Sequence, residues 1–134
     1  MSRRAYVALA LGTIGLGLIV HSYGSALGPT SRDVAGDVLW AAMIAWLIGA
    51  VTPRTDLWKR AIAAVMICWC VEFSQLYHTP SLDTLRDSTV GQLTLGTGFD
   101  PRDLFAYLAG VLIAAVIERA TRTAAGHSPG PKKV

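Results

Sequence analysis

Residues 68–80 read CWCVEFSQLYHTP, an apolar run that contains a glutamate and a glutamine. In a helix, Glu72 and Gln75 lie on one face because they are three residues apart. An ionisable side chain is costly to bury in an apolar segment, so it marks a functional site unless packing requires it. Glu72 is therefore the candidate centre of a polar site in an otherwise strongly apolar chain.

The composition is that of an integral membrane protein. Hydrophobic residues make up 52% of the 134 residues and charged residues only 16%, whereas about 25% of a soluble domain is charged. A chain of this length forms one domain. Too few charged residues remain to cover a surface that faces water, so the expected partners are membrane lipids and not nucleic acid.

Four apolar segments each approach the roughly 20 residues that a helix needs to span the hydrocarbon core. They cover residues 5–23, 36–51, 61–77 and 104–120. The predicted fold is an all-α integral membrane protein, a four-transmembrane-helix bundle over residues 1–122 with a long outward-facing loop between the third and fourth helices. Residues 123–134 are rich in glycine, proline and lysine and are predicted to form a disordered cytoplasmic tail.

The first apolar segment also has the form of a signal peptide. Arg3 and Arg4 precede the apolar run, and GSA at residues 24–26 fits a cleavage site. Three further spans and the length of the run favour a retained helix.

The distribution of basic residues predicts the orientation. Nine of the 12 Lys and Arg residues lie at the N-terminus, in the second connection and in the tail. This excess places both termini in the cytoplasm and the third connection outside. Arginine outnumbers lysine, and alanine and glycine are frequent, which is typical of a GC-rich bacterial genome. The expected location is therefore the bacterial cytoplasmic (inner) membrane.

Small residues mark the faces expected to pack inward, because they allow membrane helices to approach closely. The predicted stripes are Ala8, Gly12 and Gly15 in the first helix, Ala41, Ala45 and Gly49 in the second, Ala61, Ala64 and Cys68 in the third, and Ala106, Gly110 and Ala114 in the fourth. Met66, Cys70, Phe73 and Tyr77 lie opposite the third stripe. Asp37, Glu72 and Asp103 continue the last three stripes near the outer helix ends, so their carboxyl groups are expected to converge.

The connection between the third and fourth helices supplies the one arginine expected near this site. Arg86 belongs to SLDTLRD, residues 81–87, which is typical of a short interfacial helix with Leu82 and Leu85 facing the membrane. Arg86 neutralises Glu72 in one interpretation and holds a phosphate in another. LTLGTG, residues 93–98, is typical of a lid or a re-entrant turn.

Two helix starts are also predicted. Asp100 before Pro101 is typical of an N-cap followed by proline at the first helical position. Asp103 then occupies the capping-box position, which competes with its role in the site. TSRD, residues 30–33, repeats the capping pattern before the second helix, and Asp37 lies beyond any capping role.

The sequence contains no firm cofactor or metal motif. Cys68 and Cys70 project about 200° apart around a helix, so they cannot form a disulfide with each other. His21 and His78 each end a helix, where an interfacial position is expected rather than metal ligation. No cofactor or metal is therefore predicted. The predicted ligand-binding set is Asp37, Glu72, Gln75, Arg86 and Asp103.

Three stretches in this order resemble a known family. They are GDVLW at 36–40, VEFSQLYHTP at 71–80 and LTLGTGFDPRDLFAYLAG at 93–110. The chain resembles the bacterial membrane-protein family catalogued as domain of unknown function 2809 over nearly its whole length apart from the tail. More distantly, the order Glu72, Gln75, Arg86 and Asp103 is similar to that of VanZ-like membrane proteins. That group is associated with reduced susceptibility to the glycopeptide teicoplanin, which implies a link to the cell envelope.

The favoured hypothesis is the binding of a lipid or lipid-linked cell-envelope headgroup in an outer-leaflet polar pocket. Arg86 would contact phosphate, and the carboxylates would contact hydroxyls or amines. One alternative is a membrane enzyme that uses Glu72, the candidate catalytic residue, as general acid or base. In the structural alternative, Glu72 pairs with Arg86 only to hold the bundle together.

A further alternative is a small ion or proton transporter that uses the carboxyl groups as relay sites. Transport requires an acidic path to the cytoplasm, where only Glu118 lies, beside Arg119 and expected at the interface. The small-residue faces could also pack between chains and form a homo-oligomer. If they pack against each other within one chain, they are no longer available for contacts between chains.

Overall fold

The computed structural model describes residues 1–95 and 98–126 and is largely helical over them. Its helices are α1 (Arg3–Tyr23), α2 (Pro29–Val51), α3 (Leu57–Ser74), α4 (Pro80–Asp87), α5 (Thr89–Leu95) and α6 (Pro101–Gly126), with a 3-10 turn at Gly24–Leu27. The described residues contain no β-strand, so the predicted all-α class is confirmed.

Three of the described helices are long and apolar enough to cross a membrane: α1, α2 and Pro101–Ala124 of α6. Large apolar side chains on them face outward, as Leu11 does at 63% of full exposure, which is typical of helices surrounded by lipid. These helices indicate a membrane protein. α3 has 18 residues and three charged side chains and is not among the three, so a fourth span stays a prediction.

Among the four longest helices, α2 and α6 form the central pair of the bundle. α2 contacts α1, α3 and α6, and α3 also packs against α6. At Gly110 of α6, an added Cβ would collide with the Val38 carbonyl oxygen and lie 2.9 Å from the Ala41 Cβ. The two central helices therefore approach each other through a glycine that faces backbone.

The predicted inward faces of α2, α3 and α6 match the observed packing. The buried stripe residues are Ala41 and Gly49 of α2, Ala61, Ala64 and Cys68 of α3, and Ala106, Gly110 and Ala114 of α6, while Ala45 is half-buried. The α3 side chains predicted on the opposite face are all exposed, namely Met66, Cys70, Phe73 and Tyr77.

The predicted inward face of α1 is wrong. Ala8 and Gly12 are exposed, and an added Cβ at Gly12 or Gly15 would meet nothing within 4 Å. Tyr6 and Ala10 are buried instead. The Tyr6 hydroxyl hydrogen-bonds to side chains of other helices, and the need to satisfy this buried hydroxyl fixes the rotation of α1.

α2 begins at Pro29, ahead of the predicted cap at residues 30–33. Gly28 is the N-cap with φ 80°, and no side chain caps the helix. The proline ring fixes φ near the helical value and leaves no N–H to satisfy, while Gly28 tolerates a positive φ. This pair therefore starts the helix without the predicted TSRD cap.

The connection from α3 to α6 is mostly helical, which corrects the predicted long loop. The short helix predicted at residues 81–87 is present as α4, and the Thr79 side chain caps it by accepting a hydrogen bond from the Leu82 N–H at 3.3 Å. α5 follows almost directly. Leu85 is exposed, as expected if it contacts the membrane. Residues 96 and 97 of the predicted lid lie outside the described residues.

α6 continues to Gly126, four residues into the predicted tail. The extension TAAG, residues 123–126, adds two alanines, and alanine is the best helix former, so nothing in the sequence stops the helix at residue 122. Residues 127–134, the rest of the predicted disordered tail, lie outside the described residues.

Candidate functional site

Asp37, Glu72 and Asp103 come together at the end of the bundle where α2 and α6 begin and α3 ends. The Asp37 and Asp103 side chains are hydrogen-bonded to each other, and the charge of Glu72 acts on both. We call these three residues the acidic cluster and this end of the bundle the acidic end. The structure thus brings together the three carboxyl groups whose convergence the small-residue stripes predict.

Glu72 is fully buried, and both of its carboxylate oxygens accept hydrogen bonds from within the chain. The Asp100 N–H donates to Oε1 at 2.7 Å, and the Tyr107 hydroxyl donates to Oε2 at 3.0 Å. The Gln75 amide donates to Oε2 at 3.4 Å. Glu72 therefore ties the end of α3 to the start of α6. Glu72 and Gln75 are close together, as expected for residues on one helix face, whereas the contact with Tyr107 was not predicted.

Asp37 and Asp103 differ from Glu72 because each hydrogen-bonds only to the other through its side chain and to no third group of the described residues. Both side chains are half-buried. Among the described residues neither carboxyl group belongs to an ion pair, and the side-chain hydrogen bond of each is to the other. A hydrogen bond between two carboxyl groups needs a proton on one of them. This pair is the part of the acidic cluster with capacity left to bind another group.

Asp100 caps α6, as the sequence predicts. Its Oδ1 accepts a hydrogen bond from the Arg102 N–H at 2.9 Å, and its carboxylate pairs with the Arg102 guanidinium at 2.5 Å. Hydrogen bonds from Arg102 hold the pKa of the Asp100 carboxyl below its ordinary value. Arg102 is thereby engaged at the helix start, and it does not form an ion pair with the acidic cluster.

Arg86 is buried, but it binds the end of α3 and not Glu72. Its Nη2 donates to the Ser74 carbonyl at 2.6 Å, and its Nη1 donates to the Tyr77 carbonyl at 3.0 Å. Asp83 completes the set, with Oδ1 3.4 Å from Nη1. A guanidinium suits this position, because the last carbonyls of a helix lack intrahelical partners and carry partial negative charge. The predicted ion pair between Glu72 and Arg86, on which the structural alternative depends, is therefore wrong.

A second polar cluster, which the sequence did not predict, lies where α1 and α3 begin and α6 ends. We call Tyr6, Arg60, Glu118 and Arg122 the clamp and this end of the bundle the clamp end. Arg60 Nη2 and Arg122 Nη2 lie 2.5 Å and 2.6 Å from Glu118 Oε1. The Tyr6 hydroxyl donates to the same oxygen at 2.6 Å and accepts a hydrogen bond from Arg60 Nη1 at 2.9 Å.

Tyr6, Arg60 and Glu118 of the clamp are buried and closely fitted, whereas the Arg122 side chain is 43% exposed. Glu118 is only 3% exposed, so its carboxylate faces the bundle interior. An added Cβ at Gly49 of α2 would lie 2.5 Å from the Tyr6 ring and 2.9 Å from Arg60 Nη1. All four long helices therefore meet at the clamp, three through polar side chains and α2 through a glycine.

The acidic cluster does not have the arrangement of a metal site. Among the described residues, no group of three or more His, Cys, Asp or Glu side chains is placed to hold a metal ion. Hydrogen-bonding and charge–charge interactions are the chemistry that these carboxyl groups offer.

Comparison with known proteins identifies the family. No solved structure matches the chain. The model of a family described as "Protein of unknown function (DUF2809)" matches residues 28–111, a range that runs from the start of α2 to the middle of α6. The match includes every residue of the acidic cluster but only Arg60 of the clamp. Because it covers more than half of the sequence, the chain belongs to the DUF2809 family.

Proposed function

We propose that this protein is a four-helix protein of the bacterial cytoplasmic membrane that binds the headgroup of a lipid or lipid-linked envelope precursor. The binding groups are the carboxyl groups of Asp37 and Asp103. The observation that carries the proposal is that this half-buried pair, unlike every other acidic group buried in the described bundle, is not held by hydrogen bonds to other side chains or backbone. Glu72 supports the pair by fixing the helices around it.

The proposed topology takes α3 as a fourth span. Its 18 residues extend about 27 Å at 1.5 Å per residue, close to the roughly 30 Å of a hydrocarbon core. Its charged residues lie near its two ends: Lys59 and Arg60 at the start and Glu72 at the end. The excess of basic residues at the termini and in the second connection supports cytoplasmic termini, and it supports an acidic end that faces outward.

The chemistry of the pair restricts the ligand. Carboxyl groups accept hydrogen bonds from hydroxyls and bind ammonium groups, but carboxylates repel phosphate. Arg86, predicted to meet the phosphate, has its terminal nitrogens on α3 carbonyls and Asp83, so it is left out of the proposed site. The proposed headgroup therefore presents an amine or several hydroxyls to the acidic cluster.

The two alternative functions have less support. Catalysis by Glu72 requires an oxygen that can exchange a proton with substrate, yet both Glu72 oxygens accept hydrogen bonds from within the chain. Proton transport requires polar groups between the acidic cluster and Glu118. The buried α6 side chains between Tyr107 and Glu118 are instead apolar: Val111 and Ala114.

Native mass spectrometry of the protein extracted with its own lipids tests the proposal. We expect the wild type to retain a defined lipid or precursor that the double variant Asp37→Asn, Asp103→Asn loses. Asp33→Asn is the matched control, because Asp33 also lies on α2 but is exposed beside Arg32. The same adducts on all three proteins, or none on any folded protein, would contradict the proposed site.

A further inference from the structure

Both polar clusters lie on one stripe of α6. Glu118 follows Asp103 by 15 residues, which separates the two by about 22 Å along the helix axis. The bundle between them is filled by small and apolar side chains. The buried residues of this layer include Ala41, Ala42, Trp46, Ala61, Ala64, Cys68, Val111 and Ala114.

This apolar layer has little room for water. A cavity of about 10 Å³ lies beside Val111, Ala114 and Glu118. A buried water needs roughly 10–15 Å³ and two to four polar partners. The cavity is at the lower limit for one water, and the clamp groups that border it already bind one another. This cavity is too small to hold a chain of water molecules.

The clamp lies at the end of the apolar layer that is opposite the acidic cluster. Each nitrogen of the Arg60 guanidinium has an acceptor: Nε donates to the Thr55 carbonyl at 3.0 Å, and both Nη atoms bind Glu118 or Tyr6. Arg122 adds a second cation against Glu118. A buried arginine held by four hydrogen bonds in this way binds helices together.

We propose that the clamp seals the bundle, so that the acidic cluster is reached from the acidic end only. The protein is then a one-sided receptor and not a passage between the two sides of the membrane. The inference uses the proposed function only for the identity of the site, and it needs no knowledge of the ligand. Asp37 and Asp103 stay half-exposed at one end, while nothing polar connects them to the other.

Thiol labelling in sealed vesicles tests one-sided access. The background carries Cys68→Ala and Cys70→Ala, and a charged maleimide that cannot cross the membrane is added from one side or the other. Asp33→Cys and Arg54→Cys, at exposed positions on opposite ends of α2, define the two sides. We expect Asp37→Cys to be labelled only from the side that labels Asp33→Cys. Labelling from the Arg54→Cys side, or from neither side, overturns the inference.

A second position tests whether the clamp is the seal. Ala114→Cys, in the apolar layer, should stay unlabelled from both sides while the clamp is intact. Adding Glu118→Ala should make it reactive from the clamp end, and Tyr6→Phe should do so more weakly without leaving a charge unpaired. Asp37→Cys in each background reports whether the bundle is intact. A reactive Ala114→Cys with the clamp intact, or a silent one in a folded Tyr6→Phe protein, contradicts the role of the clamp.

The two tests fail separately. If native mass spectrometry shows no specific adduct, the labelling pattern is unaffected, because thiol accessibility does not depend on a ligand. If Asp37→Cys is labelled from both sides while the wild type still retains a lipid, the headgroup site stands and the seal does not.

Discussion

The acidic cluster and the clamp are both polar groups inside an apolar bundle, but they are organised in opposite ways. The acidic cluster has three carboxyl groups, and within the described residues none of them is in an ion pair. The clamp sets one carboxylate between two arginines and a tyrosine hydroxyl. A buried charge marks a binding site only when its hydrogen-bonding capacity is not already used by the protein itself.

The range of the family match also separates the acidic cluster from the clamp. Residues 28–111 include Asp37, Glu72 and Asp103, whereas Tyr6, Glu118 and Arg122 lie outside that range. α1, which supplies Tyr6, is also outside it. The acidic cluster is therefore built entirely from the part of the chain that defines the family, and the clamp joins that part to the flanking helices.

The largest predicted effect is on the clamp. Glu118→Ala leaves Arg60, which is 3% exposed, as a buried cation without its carboxylate. Breaking a buried pair from one side costs about 3–5 kcal/mol, so we expect the free energy of unfolding in detergent to fall by that amount. Arg119→Ala is the control, because Arg119 is exposed on the same turn of α6. Equal, small losses in both variants would show that the clamp does not hold the helices.

Two glycine substitutions compare the α2–α6 contact with the outer face of α1. In Gly110→Ala the added Cβ collides with the Val38 carbonyl oxygen, a backbone atom that cannot rotate away. Overpacking of this kind costs about 1–3 kcal/mol. Gly12→Ala meets nothing within 4 Å and should leave the unfolding free energy unchanged or raise it slightly. Similar losses in the two variants would argue that α1 also packs through its glycines.

Loss of the Tyr107 hydroxyl should have a smaller effect at the acidic end. Tyr107→Phe removes one of the donors to Glu72 Oε2 and leaves the Asp100 N–H in place. Because the Gln75 amide still donates to Oε2, the cost is that of one net hydrogen bond, about 0.5–1.5 kcal/mol. Thermal unfolding in detergent measures it, with Tyr77→Phe, at an exposed position, as the control. A wild-type midpoint for Tyr107→Phe would mean that Glu72 does not depend on this contact.

The sequence predicts the acidic cluster well because its residues follow local patterns. Asp37, Glu72 and Asp103 continue stripes of small residues at helical spacing, and that spacing alone puts them inside the bundle. Asp100 is equally local, since a helix cap needs only the next few residues. Helical spacing is therefore enough to predict the acidic cluster, and the local cap pattern is enough to predict the role of Asp100.

The clamp and Arg86 could not be predicted in this way. Tyr6 and Arg122 are 116 residues apart, and no spacing rule connects a tyrosine in the first helix with arginines in two others. The nearest signal for the clamp is Glu118, an acidic residue in an apolar helix. Arg86 lies close in sequence to the α3 carbonyls that it binds, but that contact requires α4 to fold back on α3. Such contacts depend on tertiary packing.

The smallest predicted effect on stability belongs to the residues proposed to bind. Asn is close to Asp in size and keeps an oxygen and an amide at the same place, so Asp37→Asn preserves the contact with Asp103 and removes one carboxyl group from the acidic cluster. We expect the unfolding free energy to stay within about 0.5 kcal/mol of wild type, as for a substitution that breaks no buried network. We also expect the lipid adduct to be weakened. A residue that serves ligand binding is expected to stabilise the bound ligand and to add little to the stability of the fold. If Asp37→Asn were destabilised as strongly as Glu118→Ala, Asp37 would instead belong to the groups that hold the bundle together.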